Sequence, residues 1–353
     1  MNLTKIDGGA ATGGDRPVLA KKDFQSDQEV RWCPGCGDYA VLNAVQTVFP
    51  ELGIPREKFV VVSGIGCSSR FPYYVNTFGF HTVHGRAPAI ATGIKLANPE
   101  LSVWVATGDG DALSIGGNHI IHALRRNVDL KILMFNNRIY GLTKGQYSPT
   151  SEQFKKTKST PFGSLDRPFE PISLALGAGA TFVARSVDVF SQHLREVLRR
   201  AAAHRGSAFI EILQNCPIFN DGAWEPWTDR EIRDDRMLSL EDGKPLIFGK
   251  DRNHGIVRGE GGLHVVDLGG PEAADGSGLV VHDAKREDPA LAFEIAHAGT
   301  REGFPMPIGI FRAVDYPPFE TLMNDQMREI REKKGAGSLE KLLASGETWE
   351  VSA

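Results

Sequence analysis

Short apolar runs, each followed by polar residues or glycine, recur along the first two thirds of the chain. Leu101 to Thr107 (LSVWVAT) and Leu130 to Phe135 (LKILMF) are almost wholly apolar, which is typical of strands buried on both faces of a parallel sheet. Between them, Asp111 to Arg126 has apolar residues at roughly helical spacing behind an acidic start, which predicts one helix. A strand, a helix and a strand in about 30 residues form a right-handed crossover unit.

The same two patterns alternate on both sides of this unit. Phe59 to Ser63 and Ala208 to Leu213 read as strands, and Tyr39 to Phe49 reads as a helix with Asp38 as a plausible cap. Further helices are predicted over Pro88 to Ala97, Ile172 to Leu176, Val189 to Ala203 and Phe319 to Lys333. The alternation predicts an α/β fold, an open and mostly parallel sheet with helices on both faces.

The domain organisation follows from where these patterns begin and end. Residues 1–27 are glycine-rich with few apolar groups and are expected to form a flexible arm, so the main domain spans residues 28–228. Residues 229–353 are expected to form a C-terminal extension that is partly loop and ends in a helix. Asp229 to about Asp288 shows no sustained periodicity, and Gly269 to Gly278 reads as loop. The apolar stripe on that helix predicts a core or subunit contact.

Composition excludes several classes of protein. The 353 residues are 41% hydrophobic, which supports a substantial core, and the net charge of −4 gives no electrostatic case for nucleic acid. The longest apolar runs are far too short to span a bilayer. Met1 to Lys22 has no apolar segment of the kind found in secretory signals, so we expect no membrane association and a cytoplasmic location.

Oxygen ligands follow two consecutive predicted strands. Asp109 comes directly after the first strand and Asn137 after the second, so both side chains should meet at the carboxyl edge of the sheet. With the backbone carbonyl of Ile139 they would give Mg²⁺ three hard oxygen ligands, leaving positions for a diphosphate and water. Gly108 and Gly110 would let the backbone approach the phosphates closely.

Each half of this pattern also has a simpler interpretation. GDGD and NN are both common turn sequences, and either one alone matches by chance. A Rossmann dinucleotide site fits less well, because Leu113 stands where the third glycine belongs and no acidic residue ends the second strand. The two halves on consecutive strands, with a helix between them, are much more specific.

The chain has four cysteines, too few for a disulfide framework in so long a chain. Cys33 and Cys36 form a C-x-x-C pair, whereas Cys67 and Cys216 stand alone, each past the end of a predicted strand. A redox dithiol, a structural zinc site and an iron–sulfur cluster all remain open on the residues alone. The position of Cys67 and Cys216 on the same sheet edge as Asp109 favours the cluster, which could accept electrons there.

Taken together, these motifs resemble a known family. GDG followed by NN resembles the thiamine diphosphate motif, and WCPGCG (32–37), GIGCSSR (64–70) and HGRA (84–87) narrow the match. Over most of residues 28–225 the chain is similar to the beta subunits of 2-oxoacid:ferredoxin oxidoreductases, and most similar to the 2-oxoglutarate type. The resemblance implies three cofactors: thiamine diphosphate, Mg²⁺ and a [4Fe–4S] cluster.

The resemblance also assigns residues to roles. It implies Asp109, Asn137 and Ile139 as Mg²⁺ ligands, and Cys33, Cys36, Cys67 and Cys216 as cluster ligands. It implies cofactor contacts at Ile65, Gly66, Cys67, Ser68, His84, Gly85, Arg86, Gly108, Asp109, Gly110, Asp111, Asn137, Ile139, Gly141, Leu142 and Thr143. Substrate contacts are implied at Arg70, Leu142 and Lys144; relatives often carry lysine in place of Arg70.

The implied reaction is oxidative decarboxylation of a 2-oxoacid, with coenzyme A as acyl acceptor and ferredoxin as electron acceptor. The glutamate that activates thiamine diphosphate has no match on this chain, and in the family an alpha subunit supplies it, so an αβ or (αβ)₂ assembly is expected. Pyruvate or branched-chain substrates, a non-redox decarboxylase or ligase with structural zinc, and a non-catalytic electron-transfer module are the alternatives.

Overall fold

The computed structural model describes residues 19–269 and 278–351, which are built around a sheet of eight strands in the order β2-β1-β3-β4-β6-β5-β11-β7. The strands are β1 (Phe59–Ser63), β2 (Phe78–His81), β3 (Ser102–Gly108), β4 (Leu130–Asn136), β5 (Phe182–Val187), β6 (Ala208–Leu213), β7 (Met237–Leu240), β8 (Ile247–Phe248), β9 (His254–Gly259), β10 (Gly262–Asp267) and β11 (Met306–Ala313). Neighbouring strands of the main sheet run parallel except β5 and β11, while β8, β9 and β10 form a separate antiparallel sheet. The predicted open, mostly parallel sheet is confirmed.

Helices cover both faces of the main sheet. They are α1 (Asp38–Glu51), α2 (Phe71–Tyr74), α3 (Ala87–Ala97), α4 (Asp109–Leu113), α5 (Gly117–Arg125), α6 (Pro171–Gly177), α7 (Ser191–Ala203), α8 (Glu225–Thr228), α9 (Arg233–Arg236), α10 (Ala290–Ala298), α11 (Phe319–Lys334) and α12 (Leu339–Leu343). Along β3, Val103 and Val105 belong to one core cluster, which includes residues of α3, α5, α6 and α10. Trp104 and Ala106 belong to a second core cluster, which includes residues of α1 and α7. Successive side chains of a strand point to opposite faces, so a run buried on both faces is apolar throughout.

The helix predicted over Asp111 to Arg126 is interrupted. The structure has α4 and α5 there, separated by residues 114–116, and Ser114 has a non-helical ψ of −106°. A side chain on Gly116 would come within 2.3 Å of the Asp111 carbonyl oxygen. Two consecutive glycines lower helix propensity and allow this close approach, which accounts for the break.

Asp38 is the first residue of α1 and does not cap it. Gly37 occupies the capping position, and Asp38 lies 1% exposed with no hydrogen bond to either carboxylate oxygen. The cap prediction was therefore wrong, since a capping side chain turns back to the helix backbone.

Residues after 228 are more ordered than the sequence pattern indicates. β7 and β11 join the main sheet, where β11 pairs with both β5 and β7. The stretch 229–288, where the sequence shows no sustained periodicity, contains the four strands β7 to β10. Pro307 and Gly309 obscure β11 in the sequence, because both residues are unfavourable within strands. Gly309 has a φ of +113°, and the pairing with β5 shifts register between Ile310 and Arg312.

Part of the predicted N-terminal arm belongs to the core. Phe24 is fully buried, with its ring 5.6 Å from Phe49 and 5.5 Å from Phe59, so residues 19–27 do not form a flexible arm. Residues 1–18 and most of the predicted loop from Gly269 to Gly278 lie outside the described residues.

The helix predicted over Phe319 to Lys333 is present as α11, and only Glu320 is buried on it. Phe319, at its start, is partly buried and packs against the core, whereas Leu322, Met327 and Ile330 are about half exposed, so the rest of its apolar stripe lies outside the core of this chain. None of the helices in the described part of the chain combines the length and the apolar character needed to cross a membrane.

His204, directly after α7, is expected to make folding sensitive to acid. Burial and the charge of Lys131 lower its pKa from 6.5 to about 4. Because the folded state favours neutral His204, its contribution to stability is present above pH 6.5 and is lost as the pH falls towards 4. We expect a loss of roughly 1–2 kcal/mol after allowing for partial exposure.

Urea unfolding at pH 7 and pH 4.5 measures this effect. The His204→Gln variant should lose less stability than the wild type between the two pH values, and His297→Gln, at an exposed position, should behave like the wild type. Equal acid sensitivity in all three proteins would contradict the assignment.

Candidate active site

A cleft of about 110 Å³ opens at the carboxyl edge of the main sheet, beside the ends of β1, β3 and β4. β2 and β3 lie on opposite sides of β1, so the chain reverses its direction across the sheet at β1. In open α/β sheets, ligands bind at such a reversal, outside the carboxyl ends of the strands. The cleft therefore occupies the position where this fold binds ligands.

Asp109 begins α4 and is buried at the floor of the cleft. Its Oδ2 accepts hydrogen bonds from Ser148 Oγ at 2.5 Å and Thr150 Oγ1 at 2.6 Å. Burial raises the pKa of Asp109 to about 6, although these two hydrogen bonds oppose the rise. A bound cation would favour the charged carboxylate, so the site suits a metal ion.

Asn137 follows β4 and lies in the same cleft. Its Nδ2 donates a hydrogen bond to Gln214 Oε1 at 3.0 Å. Its Oδ1 therefore faces the Ile139 backbone and accepts a hydrogen bond from the Ile139 N–H at 3.2 Å. β3 and β4 are neighbouring parallel strands, so Asp109 and Asn137 meet at one edge as the sequence predicts.

Asp111 connects the loops around the cleft. Its Oδ1 accepts hydrogen bonds from the backbone N–H of Ile65 at 3.0 Å and of Gly85 at 2.7 Å, and lies 2.6 Å from His84 Nδ1. Its Oδ2 accepts from Thr107 Oγ1 at 2.7 Å. Although Asp111 lines the cleft, both of its oxygens are engaged by protein groups, and its structural role is to hold the loops after β1 and β2 together.

Cys67 and Cys216 lie together beside this cleft, and the segment that carries Cys33 and Cys36 adjoins Cys67. A Cβ atom built on Gly141 would lie 3.5 Å from Cys216 Sγ and 3.6 Å from Cys67 Sγ. Trp32 Nε1 donates to the Cys67 carbonyl at 2.7 Å, which brings the neighbouring segment with Cys33 and Cys36 to the same place. The prediction that Cys67 and Cys216 lie on the same edge of the sheet as Asp109 and Asn137 is confirmed.

The thiols lie in an apolar and acidic environment. Burial and the nearby Asp38 raise the pKa of Cys67 to about 12 and raise that of Cys36 further. A thiol binds metal only as the thiolate, which a metal centre itself stabilises. In residues 19–269 and 278–351, no three His, Cys, Asp or Glu side chains are grouped closely enough to bind a single metal ion.

Most of the predicted cofactor residues line the cleft. Those that do are Ile65, Gly66, Cys67, Ser68, His84, Gly108, Asp109, Gly110, Asp111, Asn137, Ile139, Gly141, Leu142 and Thr143. Gly85 and Arg86 lie behind this lining, where Arg86 donates to the Ile115 carbonyl at 3.0 Å. Arg70 and Lys144 are also outside the lining; Arg70 is near Cys67, and Lys144 borders an adjacent groove.

The cleft also contains residues that the motifs do not include. They are Asp38, Phe135, Tyr140 and Gln214. Tyr140 OH donates to the Gly110 carbonyl at 3.0 Å, and Gln214 Nε2 lies 3.3 Å from Cys36 Sγ. Gln214 is the first residue after β6, so its position past a strand end was the signal available in the sequence.

The fold and the site define a thiamine diphosphate-binding enzyme domain. Residues 64–212 match the family described as thiamine pyrophosphate enzyme, C-terminal TPP binding domain. Over 352 residues the chain is 53% identical to 2-oxoglutarate oxidoreductase subunit KorB from Mycobacterium tuberculosis, covering 99% of this chain and 92% of that protein. The chain belongs to the family of 2-oxoacid:ferredoxin oxidoreductase beta subunits, as its motifs predict.

Two further relatives support this membership. The beta subunit of 2-oxoacid:ferredoxin oxidoreductase 1 from Aeropyrum pernix is 50% identical over 211 residues, which cover 60% of this chain and 65% of that protein. A solved structure of 2-oxoglutarate:ferredoxin oxidoreductase from Magnetococcus marinus, with 2-oxoglutarate, coenzyme A and succinyl-CoA bound, superposes with a TM-score of 0.73 at 33% identity. The match covers 95% of this chain and 98% of that chain.

Proposed function

We propose that this chain is the beta subunit of a thiamine diphosphate-dependent 2-oxoglutarate:ferredoxin oxidoreductase. The enzyme decarboxylates 2-oxoglutarate oxidatively, transfers the acyl group to coenzyme A and passes the electrons to ferredoxin. The observation that carries the proposal is the convergence of Asp109, Asn137 and the four cysteines at one edge of the sheet, in a chain closely similar to KorB.

The oxygen ligands suit a magnesium diphosphate. Asp109, Asn137 and the Ile139 carbonyl would hold Mg²⁺, whose preference is for hard oxygen ligands. Gly108 and Gly110 allow the diphosphate to approach, and side chains at the cleft wall such as His84 would contact the cofactor. When bound, thiamine diphosphate supplies the carbon nucleophile and the electron sink for decarboxylation. The chain's own residues orient it and limit water in the cleft.

The sulfur ligands suit an iron–sulfur cluster. Cys33, Cys36, Cys67 and Cys216 would hold a [4Fe–4S] cluster, which supplies a one-electron acceptor beside the cleft. Gly141 keeps the space between Cys67 Sγ and Cys216 Sγ free of a side chain.

Substrate recognition would involve the outer part of the cleft. Leu142 lines the cleft and is partly exposed, so it can limit the size of the 2-oxoacid. Arg70 and Lys144 lie beside it and would bind the carboxylates of the dicarboxylic substrate, to which arginine can make two parallel hydrogen bonds. A dicarboxylic 2-oxoacid has one carboxylate for each of these two side chains, whereas pyruvate has a single carboxylate and would bind only one of them.

An alpha subunit would complete the site. No glutamate in the described part of the chain lines the cleft, so the activating glutamate must come from elsewhere. All four residues of β2 are exposed at the edge of the sheet, and Phe78, Phe80 and Val83 form an apolar surface next to His84. An exposed apolar edge of this kind is typical of a protein interface. We propose an αβ or (αβ)₂ assembly in the cytoplasm, where free thiols persist.

Purification of the full chain with and without its alpha subunit tests the proposal. We expect 2-oxoglutarate-dependent viologen reduction only in the complex, together with brown colour and bound thiamine diphosphate. Rates with 2-oxoglutarate, pyruvate and a branched-chain 2-oxoacid determine the substrate. Turnover by this chain alone, or a colourless zinc-containing complex, would contradict the proposal.

A further inference from the structure

The long connection between β4 and α6 contains four buried hydroxyl residues, and two of them, Ser148 and Thr150, contact Asp109. Most of this connection lies on the surface, yet Ser148 is 1% exposed and Thr150 is 3% exposed. Burial of a hydroxyl group is unfavourable unless it forms hydrogen bonds. Both hydroxyls donate a hydrogen bond to Oδ2 of Asp109, a residue about 40 positions earlier in the chain.

We propose that Ser148 and Thr150 are positioning residues for Asp109, holding its Oδ2 so that its other oxygen, Oδ1, is directed to Mg²⁺. This inference rests on the proposed function, because it concerns the proposed metal site. It assigns a role in cofactor binding to a turn that none of the sequence motifs includes.

The hydrogen-bond arrangement leaves both hydroxyl protons available to Asp109. Thr150 Oγ1 also lies 2.9 Å from Asn136 Oδ1, a neutral amide oxygen that is the alternative acceptor for the same proton. The carboxylate is the stronger acceptor, so the Thr150 proton goes to Asp109. Two charge-assisted hydrogen bonds to one oxygen fix the rotation of the carboxylate.

The same turn is attached to the second half of the metal site. Ser151 Oγ donates to the Arg138 carbonyl at 2.6 Å, and the backbone N–H of Ser148 donates to Ser151 Oγ at 2.8 Å. Arg138 lies between the proposed ligands Asn137 and Ile139. The turn 148–151 therefore contacts both Asp109 at the end of β3 and the ligand segment after β4.

Two buried charged residues, Glu211 and Arg185, hold Asn136 in place next to Thr150. Asn136 Nδ2 donates to Glu211 Oε1 at 2.7 Å, and Arg185 Nε donates to Glu211 Oε2 at 2.6 Å. All three residues are buried, so the amide of Asn136 has one fixed orientation beneath Thr150. Groups that orient metal ligands commonly change metal affinity when they are removed.

The test measures Mg²⁺ affinity in the complex of the full chain with its alpha subunit. Thiamine diphosphate retained after gel filtration is determined at a series of free Mg²⁺ concentrations. In Thr150→Val, and in Ser148→Ala combined with Thr150→Val, the half-saturating Mg²⁺ concentration should rise roughly 10–100-fold. Thr150→Ser restores the hydroxyl and should stay within about threefold of the wild type.

Thr157→Val is the matched control, since Thr157 Oγ1 bonds only within its own part of the loop, to Ser159 and Thr160. It should leave Mg²⁺ dependence unchanged. If Thr150→Val binds Mg²⁺ as tightly as the wild type but melts at a lower temperature without Mg²⁺ and cofactor, the inference is overturned. Thr150 would then have a structural role only. A wild-type complex that retains no thiamine diphosphate at any Mg²⁺ concentration would instead overturn the proposed function.

Discussion

Asp109→Asn is expected to lower 2-oxoglutarate turnover by roughly three orders of magnitude, because it removes the charged oxygen that would bind Mg²⁺. The amide has the shape of the carboxylate and can still accept hydrogen bonds from Ser148 and Thr150. The loss should therefore appear in the amount of bound thiamine diphosphate as well as in the rate. Viologen reduction and cofactor content of the complex measure the two effects.

Folding should not account for this loss. The folded state raises the pKa of Asp109 to about 6, so the stability that protonated Asp109 contributes is lost as the pH rises through 6. At pH 8 the neutral asparagine should leave the cofactor-free chain at least as stable as the wild type. Asp166→Asn, at an exposed position in the connection between β4 and α6, is the control for turnover. Normal cofactor content in Asp109→Asn would refute the magnesium assignment.

Cys33→Ser is expected to remove most of the bound iron and to reduce ferredoxin-linked turnover at least about 100-fold, because serine does not replace a thiolate ligand of the cluster. Cys33 is exposed and does not line the cleft, so thiamine diphosphate binding should persist. Iron content, the visible absorption and bound cofactor, measured on protein prepared without air, separate these effects. Full iron content in the variant would exclude Cys33 as a ligand.

Gly141→Ala tests the same centre without removing a ligand. The added methyl group would have only ordinary contacts with Cys67 Sγ and Cys216 Sγ, at 3.6 Å and 3.5 Å, so the chain should fold normally. A cluster between these sulfurs would compete with the methyl group for space, and iron content should fall several-fold. Equal iron content in Gly141→Ala and wild type would place the cluster elsewhere.

The position of the site could be predicted because it depends on local patterns. An apolar run identifies a strand buried on both faces, and the residues directly after parallel strands lie on one edge of the sheet. Asp109, Asn137, Cys67 and Cys216 all follow such runs, so their approximate meeting point was accessible without a structure.

Other parts of the fold depend on partners that are distant in the chain. β5 contains Arg185 and Ser186, which make it look polar, and it is a core strand because Arg185 pairs with Glu211 on neighbouring β6. The turn containing Ser148 and Thr150 reads as a polar surface loop until Asp109 is known to lie against it. Hydrogen bonds between remote side chains leave no periodic pattern in the sequence.

The contacts among the cysteine-bearing segments have a consequence for substitutions at residues that bear no sulfur. Trp32 Nε1 donates to the Cys67 carbonyl at 2.7 Å, and the Gly37 N–H donates to the Asn215 carbonyl at 3.1 Å, one residue before Cys216. These hydrogen bonds connect all three segments next to the cysteines. Replacing Trp32 would remove one of these connections, and would therefore disturb the position of Cys33 and Cys36 relative to Cys67 while leaving every sulfur in place.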